Sequence, residues 1–258
     1  MLSGIVDTHA HMDDPCYQEH LAEILASEKK HGVSCIITSG SNLPSSRASI
    51  ELAHTFEFIK ASIGIYPNEA AGLPEDYIDQ LREMAKDPAV VAIGEIGLDY
   101  GYEKRPAPEI EKPVFRSQLE LARQLQLPIV IHDRDADEDI LEILREFPEV
   151  RGTVHRFFSL PKYAKEFLKL GYYISVGPQI TYPDSERLIE TVRLLPMDRL
   201  LLETDAPFLP SYEAPFPAYP SMIAEAANRI AEIKHCTSQE VVSQAKKNAE
   251  TLFSMQVR

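Results

Sequence analysis

The sequence predicts an α/β protein of the (β/α)8 TIM-barrel class, with residues 1–258 as a single domain and its chemistry at the C-terminal face of the strands. Three observations predict it. Eight short apolar runs alternate with segments of helical periodicity along the whole chain. The length of 258 residues is close to the roughly 250 typical of such barrels. Residues with metal-ligand chemistry stand at the ends of five of the runs, and closing a barrel would bring those ends to one mouth. A doubly wound open sheet is the competing architecture. It would usually carry a Gly-rich turn after the first strand, where this chain has Thr8-His9-Ala10-His11.

In chain order, the strand candidates are Ile5–His9, Ser34–Thr38, Ala61–Ile65, Val90–Glu95, Pro128–His132, Gly152–His155, Tyr172–Val176 and Leu200–Glu203. Most are almost continuously apolar and rich in Ile, Val and Leu, as strands covered on both faces are. Between them, Phe115, Leu119, Ala122 and Leu125 form one helical stripe, and Tyr163, Ala164, Phe167 and Leu168 another. Thr237 followed by Glu240 reads as a capping box opening a last helix, whose inner face is Val241, Val242, Ala245, Ala249, Leu252 and Phe253. Two Pro-rich stretches, Gly101–Pro113 and Ala206–Pro220, follow strand ends and are expected as long loops rimming the catalytic face.

Composition narrows the class. Hydrophobic residues make up 44 % and charged residues 26 %, as in globular proteins. No apolar run approaches the roughly 18 residues of a membrane span, and Met1–Gly4 lacks a secretory pattern. Cys16, Cys35 and Cys236 are far apart and odd in number, which suggests reduced thiols, core filling and a cytoplasmic protein. No exposed heptad appears, so a monomer without membrane contact is expected. The formal net charge of −14 provides no global field to attract a polyanion. A nucleic-acid substrate would have to be held by bound metal and a few local basic residues.

The chemistry is carried by His9, His11, Glu95, His132, His155 and Asp205. Residues i and i+2 of a strand share a face, so His9 and His11 can point to one side with Asp7 behind them. Simple alternation from Val91 and Ile93 puts Glu95 on their face. A carboxylate buried there needs a cation or hydrogen-bond partners. His132 closes Ile129–Ile131 and His155 closes Gly152–Val154, while Asp205 could alternatively cap a turn. Six ligands exceed the three protein groups plus water of a single catalytic zinc. They suit two divalent ions about 3.5–4 Å apart, which lower the pKa of a bridging water to about 7 and supply hydroxide for hydrolysis. Imidazole-rich ligation admits Zn, Mn or Fe, and the carboxylates admit Mg. His20, His31, His54 and His235 lie in helix or loop stretches and look incidental.

Asp7-Thr8-His9-Ala10-His11, Ile93–Tyr100, Ile131–Ala136, Leu202–Pro207, Phe115–Ala122 and Asn248…Leu252-Phe253 together resemble the motifs of the TatD-type metal-dependent deoxyribonucleases, an amidohydrolase-like barrel family. The resemblance runs in order from residue 4 to about Phe253. It implies that His9, His11, Glu95 and Asp205 hold one ion and Glu95, His132 and His155 another. Glu95 would then bridge, and Asp205 would orient the nucleophilic water and accept its proton. It also implies phosphodiester hydrolysis on DNA, 3′–5′ exonuclease-like and favouring single strands. Arg134 is the expected phosphate contact, with an ion pair to Asp133, Asp135 or Asp137 as its alternative. The chain departs from the family pattern at three places. Tyr66 stands in Gly64-Ile65-Tyr66-Pro67 where the family commonly has His, and can donate a hydrogen bond but cannot act as a base near neutral pH. Arg156 in His155-Arg156-Phe157 replaces the usual Cys and adds a second candidate phosphate contact. Ser211–Pro220 holds no basic residue and contains Glu213.

Two other readings stand beside the nuclease. One is a metallohydrolase of the same barrel acting on a small ester, amide or phosphoester, which needs no basic track. The other is a metal-binding scaffold without turnover, against which the intact ligand set with Asp205 weighs.

Overall fold

The computed structural model describes residues 2–257. Eight parallel strands lie side by side in sequence order: β1 (Ile5–Ala10), β2 (Val33–Ser39), β3 (Ile59–Ile63), β4 (Val90–Asp99), β5 (Ile129–Arg134), β6 (Gly152–Val154), β7 (Tyr173–Val176) and β8 (Leu200–Leu202). The connections carry α1 (Leu21–Lys30), α2 (Leu43–Thr55), α3 (Tyr77–Met84), α4 (Pro108–Leu125), α5 (Asp137–Arg145), α6 (Pro161–Lys169) and α7 (Glu186–Leu194). After β8 come α8 (Ile223–Lys234) and α9 (Ser238–Leu252). This is the (β/α)8 barrel that the alternating pattern predicts.

The two faces of each strand bury into different neighbourhoods, so both must be apolar. Val6, Cys35, Ile37, Val91, Val130, Tyr173 and Leu201 form one cluster, closed off by Leu252, Phe253 and Met255 near the C-terminus. Their neighbours Ile5, Ile36, Ile129, Ile131, Ile174 and Leu200 join a second cluster with the helical residues Phe115, Leu119, Phe167 and Leu188. The period of two thus separates the barrel interior from the shell under the helices. Each large side chain fully buried in that shell contributes about 1.5–3 kcal/mol. The capping box of α9 is present in both directions, with Thr237 accepting from the Glu240 backbone and Glu240 from that of Thr237.

The seam between β8 and β1 is joined differently from the rest. Ladders link every consecutive strand pair from β1 to β8. At the seam, Asp205 N donates to His9 O at 2.9 Å and His11 N to Ala206 O at 2.6 Å. Thr8 Oγ1 donates to Leu202 O at 3.0 Å, and Asp7 Oδ1 accepts from Thr204 N at 3.0 Å. The residues that close the barrel are therefore the neighbours of the predicted ligands.

Several boundaries differ from expectation. β4 and β5 run on to Asp99 and Arg134, paired with each other, so Glu95 and His132 lie within strands rather than at their ends. β3 begins two residues earlier than the apolar run suggests. The expected loop Gly101–Pro113 is shorter, because α4 starts at Pro108 and contains Pro113. Pro108 needs no amide donor in the first turn, and the Phe115, Leu119 and Ala122 stripe is buried enough to hold the helix through Pro113. The second Pro-rich stretch does form a long loop before α8, fastened by Tyr182 Oη to Pro210 O at 2.7 Å and by Tyr17 Oη to Ala218 O. Cys35 is buried and Cys16 exposed, and the three cysteines are free. Among the described residues no helix is long and apolar enough to cross a membrane.

Candidate metal centre

Two local irregularities bring the ligand candidates to the mouth. Along β1, Asp7 pairs with Ile36 and Ala10 with Thr38, so three steps of one strand face two of the other. The same happens in β4, where Ile93 pairs with Ile129 but Ile96 with Ile131. Each extra residue is a bulge that redirects side chains. Ile93 packs in the shell cluster, whereas Glu95 faces the imidazoles, so simple alternation does not carry the face of Ile93 on to Glu95. Asp205 takes φ 60°, a left-handed conformation that Asp tolerates better than most residues.

Four atoms form a compact cage. His9 Nε2 and His11 Nε2 lie 3.2 Å apart. Glu95 Oε2 is 3.5 Å from each, and Asp205 Oδ1 is 3.6 Å from His9 and 3.4 Å from His11. Tetrahedral ligands with bonds of about 2.0–2.1 Å sit about 3.3–3.4 Å from one another, so the cage has the size of one ion's coordination shell. On the other side of the carboxylate, Glu95 Oε1 is 2.7 Å from His132 Nδ1 and 2.8 Å from His155 Nε2, and those nitrogens are 3.2 Å apart. Adjacent octahedral ligands at about 2.1 Å lie about 3.0 Å apart. Glu95 thus turns one oxygen to each group, and the stacked rings of His9 and His155, 3.9 Å between centroids, tie the groups together. All six side chains are buried except the half-buried His11. The donor set of imidazoles and carboxylates fits divalent ions.

A second layer fixes the imidazoles of His9 and His11. His11 Nδ1 donates to Ser39 O at 2.9 Å, and His9 Nδ1 is hydrogen-bonded to Ser39 Oγ at 3.1 Å. Both Nε2 atoms therefore face the cage. His132 Nε2 is 3.4 Å from Asp99 Oδ2, and His155 Nδ1 is 3.7 Å from Glu203 Oε1. The sequence does not single out Asp99 and Glu203, although each lies within four residues of a ligand candidate, Glu95 and Asp205. Asp7 is no part of the cage. It lies behind His9, accepting from His9 N at 3.2 Å and from Thr204.

The predicted substrate contacts also reach the mouth. Arg156 Nη1 is 3.5 Å from Asp205 Oδ2, while its backbone N–H donates to Glu203 Oε1. Arg134 is exposed and forms no ion pair with Asp133, Asp135 or Asp137 among the described residues. Tyr66 donates its hydroxyl to Asp99 Oδ2 at 2.8 Å, so its proton is directed at the partner of His132. A cleft of about 370 Å³ lies over the cage, lined by His11, Tyr66, Glu95, Arg156, Asp205 and also Asp13 and Asp14. A larger one of about 560 Å³ adjoins it through His132 and Arg156. His20, His31 and His235 flank helices and His54 lies within α2, all away from the centre.

Burial and mutual charge set the protonation of the metal-free centre. Burial raises the Glu95 carboxyl, but the charge of His155 and the bonds from His132, His155 and His9 outweigh it and hold Glu95 well below the usual range. Asp205 is likewise pushed up by burial yet held down to about 2 by His11, His9 and His155. Burial lowers His11 and His155, but Asp205 and Glu95 raise His11 to about 9, and Glu95 and Glu203 raise His155 to about 10. His9 is lowered, by burial and then by the charge of His155. At pH 7 the metal-free centre therefore holds protons on His11 and His155, and a metal ion binds only unprotonated imidazole. Metal uptake is expected to release protons, and affinity to rise with pH until it levels above about 10, the value for His155. Indicator-dye titration of Mn2+ into weakly buffered protein checks this; proton-silent uptake with pH-independent affinity would contradict it.

Comparison with known proteins agrees with this geometry. The model of the TatD-related DNase family matches residues 6–254. The Bacillus subtilis (strain 168) protein YabD, named an uncharacterized metal-dependent hydrolase, is 38 % identical over 254 residues, covering 96 % of this chain and 98 % of its own. A Klebsiella pneumoniae (strain 342) protein named 3′-5′ ssDNA/RNA exonuclease TatD is 31 % identical over 249 residues, covering 91 % and 92 %. The crystal structure of YjjV, a TatD homologue from Escherichia coli K12, superposes with a TM-score of 0.91 at 28 % identity, covering 99 % of this chain and 100 % of that one. With the fold, the motifs and the matches in agreement along nearly its whole length, the chain belongs to the TatD-related DNase family of metal-dependent hydrolases.

Proposed function

We propose that the protein is a two-metal phosphodiesterase that shortens single-stranded DNA from its 3′ end. The observation that carries the reading is the carboxylate of Glu95, whose two oxygens face two separate groups of ligands. In this reading His9, His11, Glu95 and Asp205 hold one divalent ion, and Glu95, His132 and His155 the other. When bound, such a pair polarises a phosphoryl oxygen and brings the pKa of water near 7. Asp205 accepts the proton of the attacking water, whose oxygen bonds to phosphorus as the P–O3′ bond breaks. Arg156, beside Asp205 Oδ2, offers its remaining N–H groups to the phosphate. Tyr66 acts on the substrate indirectly, by fixing Asp99 behind His132.

The surface supports a strand despite the net charge of −14. Among the described residues, the exposed large apolar ones are Tyr102, Ile110, Phe158, Leu160, Phe208, Tyr212 and Phe216. All of them follow β4, β6 or β8, on the face that holds the centre. Exposed rings around a mouth suit unpaired bases, which stack on aromatics without regard to sequence. The Klebsiella relative's name points to the same substrate class. A small ester or phosphoester is the second reading, favoured by Asp13 and Asp14 on the wall of the cleft over the cage. The test adds magnesium, manganese or zinc to metal-free protein with 5′-end-labelled single-stranded DNA, its duplex and the matching RNA. A metal-dependent ladder retreating from the 3′ end, faster on the single strand, is expected. No cleavage with metal bound, alongside turnover of a small ester, would move the assignment to the second reading.

A further inference from the structure

We propose that the larger cleft, between the segments following β5, β6 and β7, is a second nucleotide subsite. In it Arg134 and Arg187 hold the phosphate next to the one at the metal centre, and Gln179 and Phe158 hold its sugar or base. The proposal rests on the phosphodiesterase reading and names how that site takes hold of its substrate. The cleft holds about 560 Å³ and shares His132 and Arg156 with the space over the cage, so one strand can run through both.

Three observations inside the cleft call for a ligand. The guanidinium of Arg187, exposed in the first turn of α7, makes no hydrogen bond or ion pair among the described residues, and neither does that of Arg134. Elsewhere Arg105, Arg116, Arg123, Arg145 and Arg229 are each paired with a carboxylate, while Arg47 bonds Gln80, Arg151 bonds backbone carbonyls and Arg199 lies over the Tyr173 ring. Second, Gln179 is only 3 % exposed, yet its Nε2 has no hydrogen-bond partner. A buried donor of this kind is rare in folded proteins unless something outside the chain completes it. Gly177 leaves room for the carboxamide, since a Cβ there would stand 2.7 Å from Gln179 Oε1. Third, the ring of Phe158 is 47 % exposed at the rim, a platform for a base.

Asp133, Asp135, Asp137 and Asp184 line the same cleft, and they decide what it can select. Their charge opposes a free anion, so the cleft does not collect loose phosphate. A phosphate enters when the strand already engaged at the metal centre carries it in, and the gain then appears as a preference for longer substrates. Arg187 lies outside the metal centre and is exposed, so Arg187→Gln leaves the fold intact.

The experiment compares the metal-loaded protein with Arg187→Gln on single-stranded oligonucleotides of two to six residues and on bis(4-nitrophenyl) phosphate, which has no second phosphate. The parent should gain in kcat/KM between the dinucleotide and longer strands. In the variant, KM for the hexamer should rise about tenfold, the scale of one hydrogen-bonded charge, with kcat changing less. The log–log salt slope should become shallower by about 0.7, the value for one phosphate on a single strand. Gln179→Met should act in the same direction. If KM and salt slope for the hexamer are unchanged in Arg187→Gln, the subsite is wrong while the phosphodiesterase reading stands. Cleavage of the small diester with no gain for longer strands has the same consequence. If nothing is cleaved, the phosphodiesterase reading falls. Fluorescence anisotropy of a labelled hexamer on Asp205→Asn then decides the cleft, because equal affinity with and without Arg187→Gln overturns it.

Discussion

Asp205→Asn is expected to lower kcat by about 10²- to 10⁴-fold, the range that a positioned proton acceptor contributes. The direction follows from what the amide can no longer do. Asp205 Oδ1 lies 3.6 Å from His9 Nε2 and 3.4 Å from His11 Nε2, and Oδ2 faces Arg156 at 3.5 Å. An Asn side chain keeps the volume but accepts no proton and turns a donor toward one of these cationic or imidazole partners. The backbone should not object, because Asn tolerates the φ of 60° that Asp205 adopts. The variant should therefore fold and melt cooperatively while turning over little substrate. Steady-state kinetics with circular dichroism as a control check this. Turnover within about tenfold of the parent would remove Asp205 from the role of proton acceptor.

Glu95→Gln should be at least as damaging to activity, through a different quantity. Glu95 turns one oxygen to each ligand group, with Oε2 toward His9 and His11 and Oε1 toward His132 and His155. Glutamine replaces one of those oxygens with an N–H donor that cannot ligate a cation, so one group loses a carboxylate oxygen whichever way the amide turns. The expected result is fewer bound metal ions per chain than in the parent and a fall in kcat on the order of 10³, the several kcal/mol that metal charge stabilisation supplies. Elemental analysis of dialysed protein gives the stoichiometry directly. Parent-like metal content with near-normal turnover would show that Glu95 does not bridge. Asp205→Asn loses a ligand from one group only, so comparing metal content between the two variants separates the bridging role from the proton-accepting one.

Much of the site was legible because its residues announce themselves by type. His9 lies in β1 and His11 follows one residue past its end, and each remaining ligand candidate follows an apolar run. In a barrel of parallel strands, those runs end on one face whatever the loops do. What surrounds the ligands was less legible. Ser39 holds His9 and His11, Asp99 stands behind His132, and Glu203 faces His155. Asp99 and Glu203 sit in motifs whose composition hints at a role, but nothing local distinguishes a ligand from the carboxylate that orients its neighbour. Arg187 and Gln179 carried no signal at all, since a lone Arg at a helix start and a lone Gln after a strand are ordinary.

The sequence by itself determined the barrel and the chemical character of its mouth. Continuous apolar runs separated by amphipathic stripes can bury both faces of a sheet only by wrapping it in helices, and that requirement is encoded residue by residue. The tertiary structure alone decided where the side chains aim. The extra residues in β1 and β4 shift His9 and Glu95 relative to simple alternation, and the seam from Asp7 and Thr8 to Thr204 and Leu202 sets Asp205 against His9. Those contacts join positions up to 197 residues apart. Their geometry depends on the register of whole strands, which is a property of the closed sheet and is carried by no short stretch of chain.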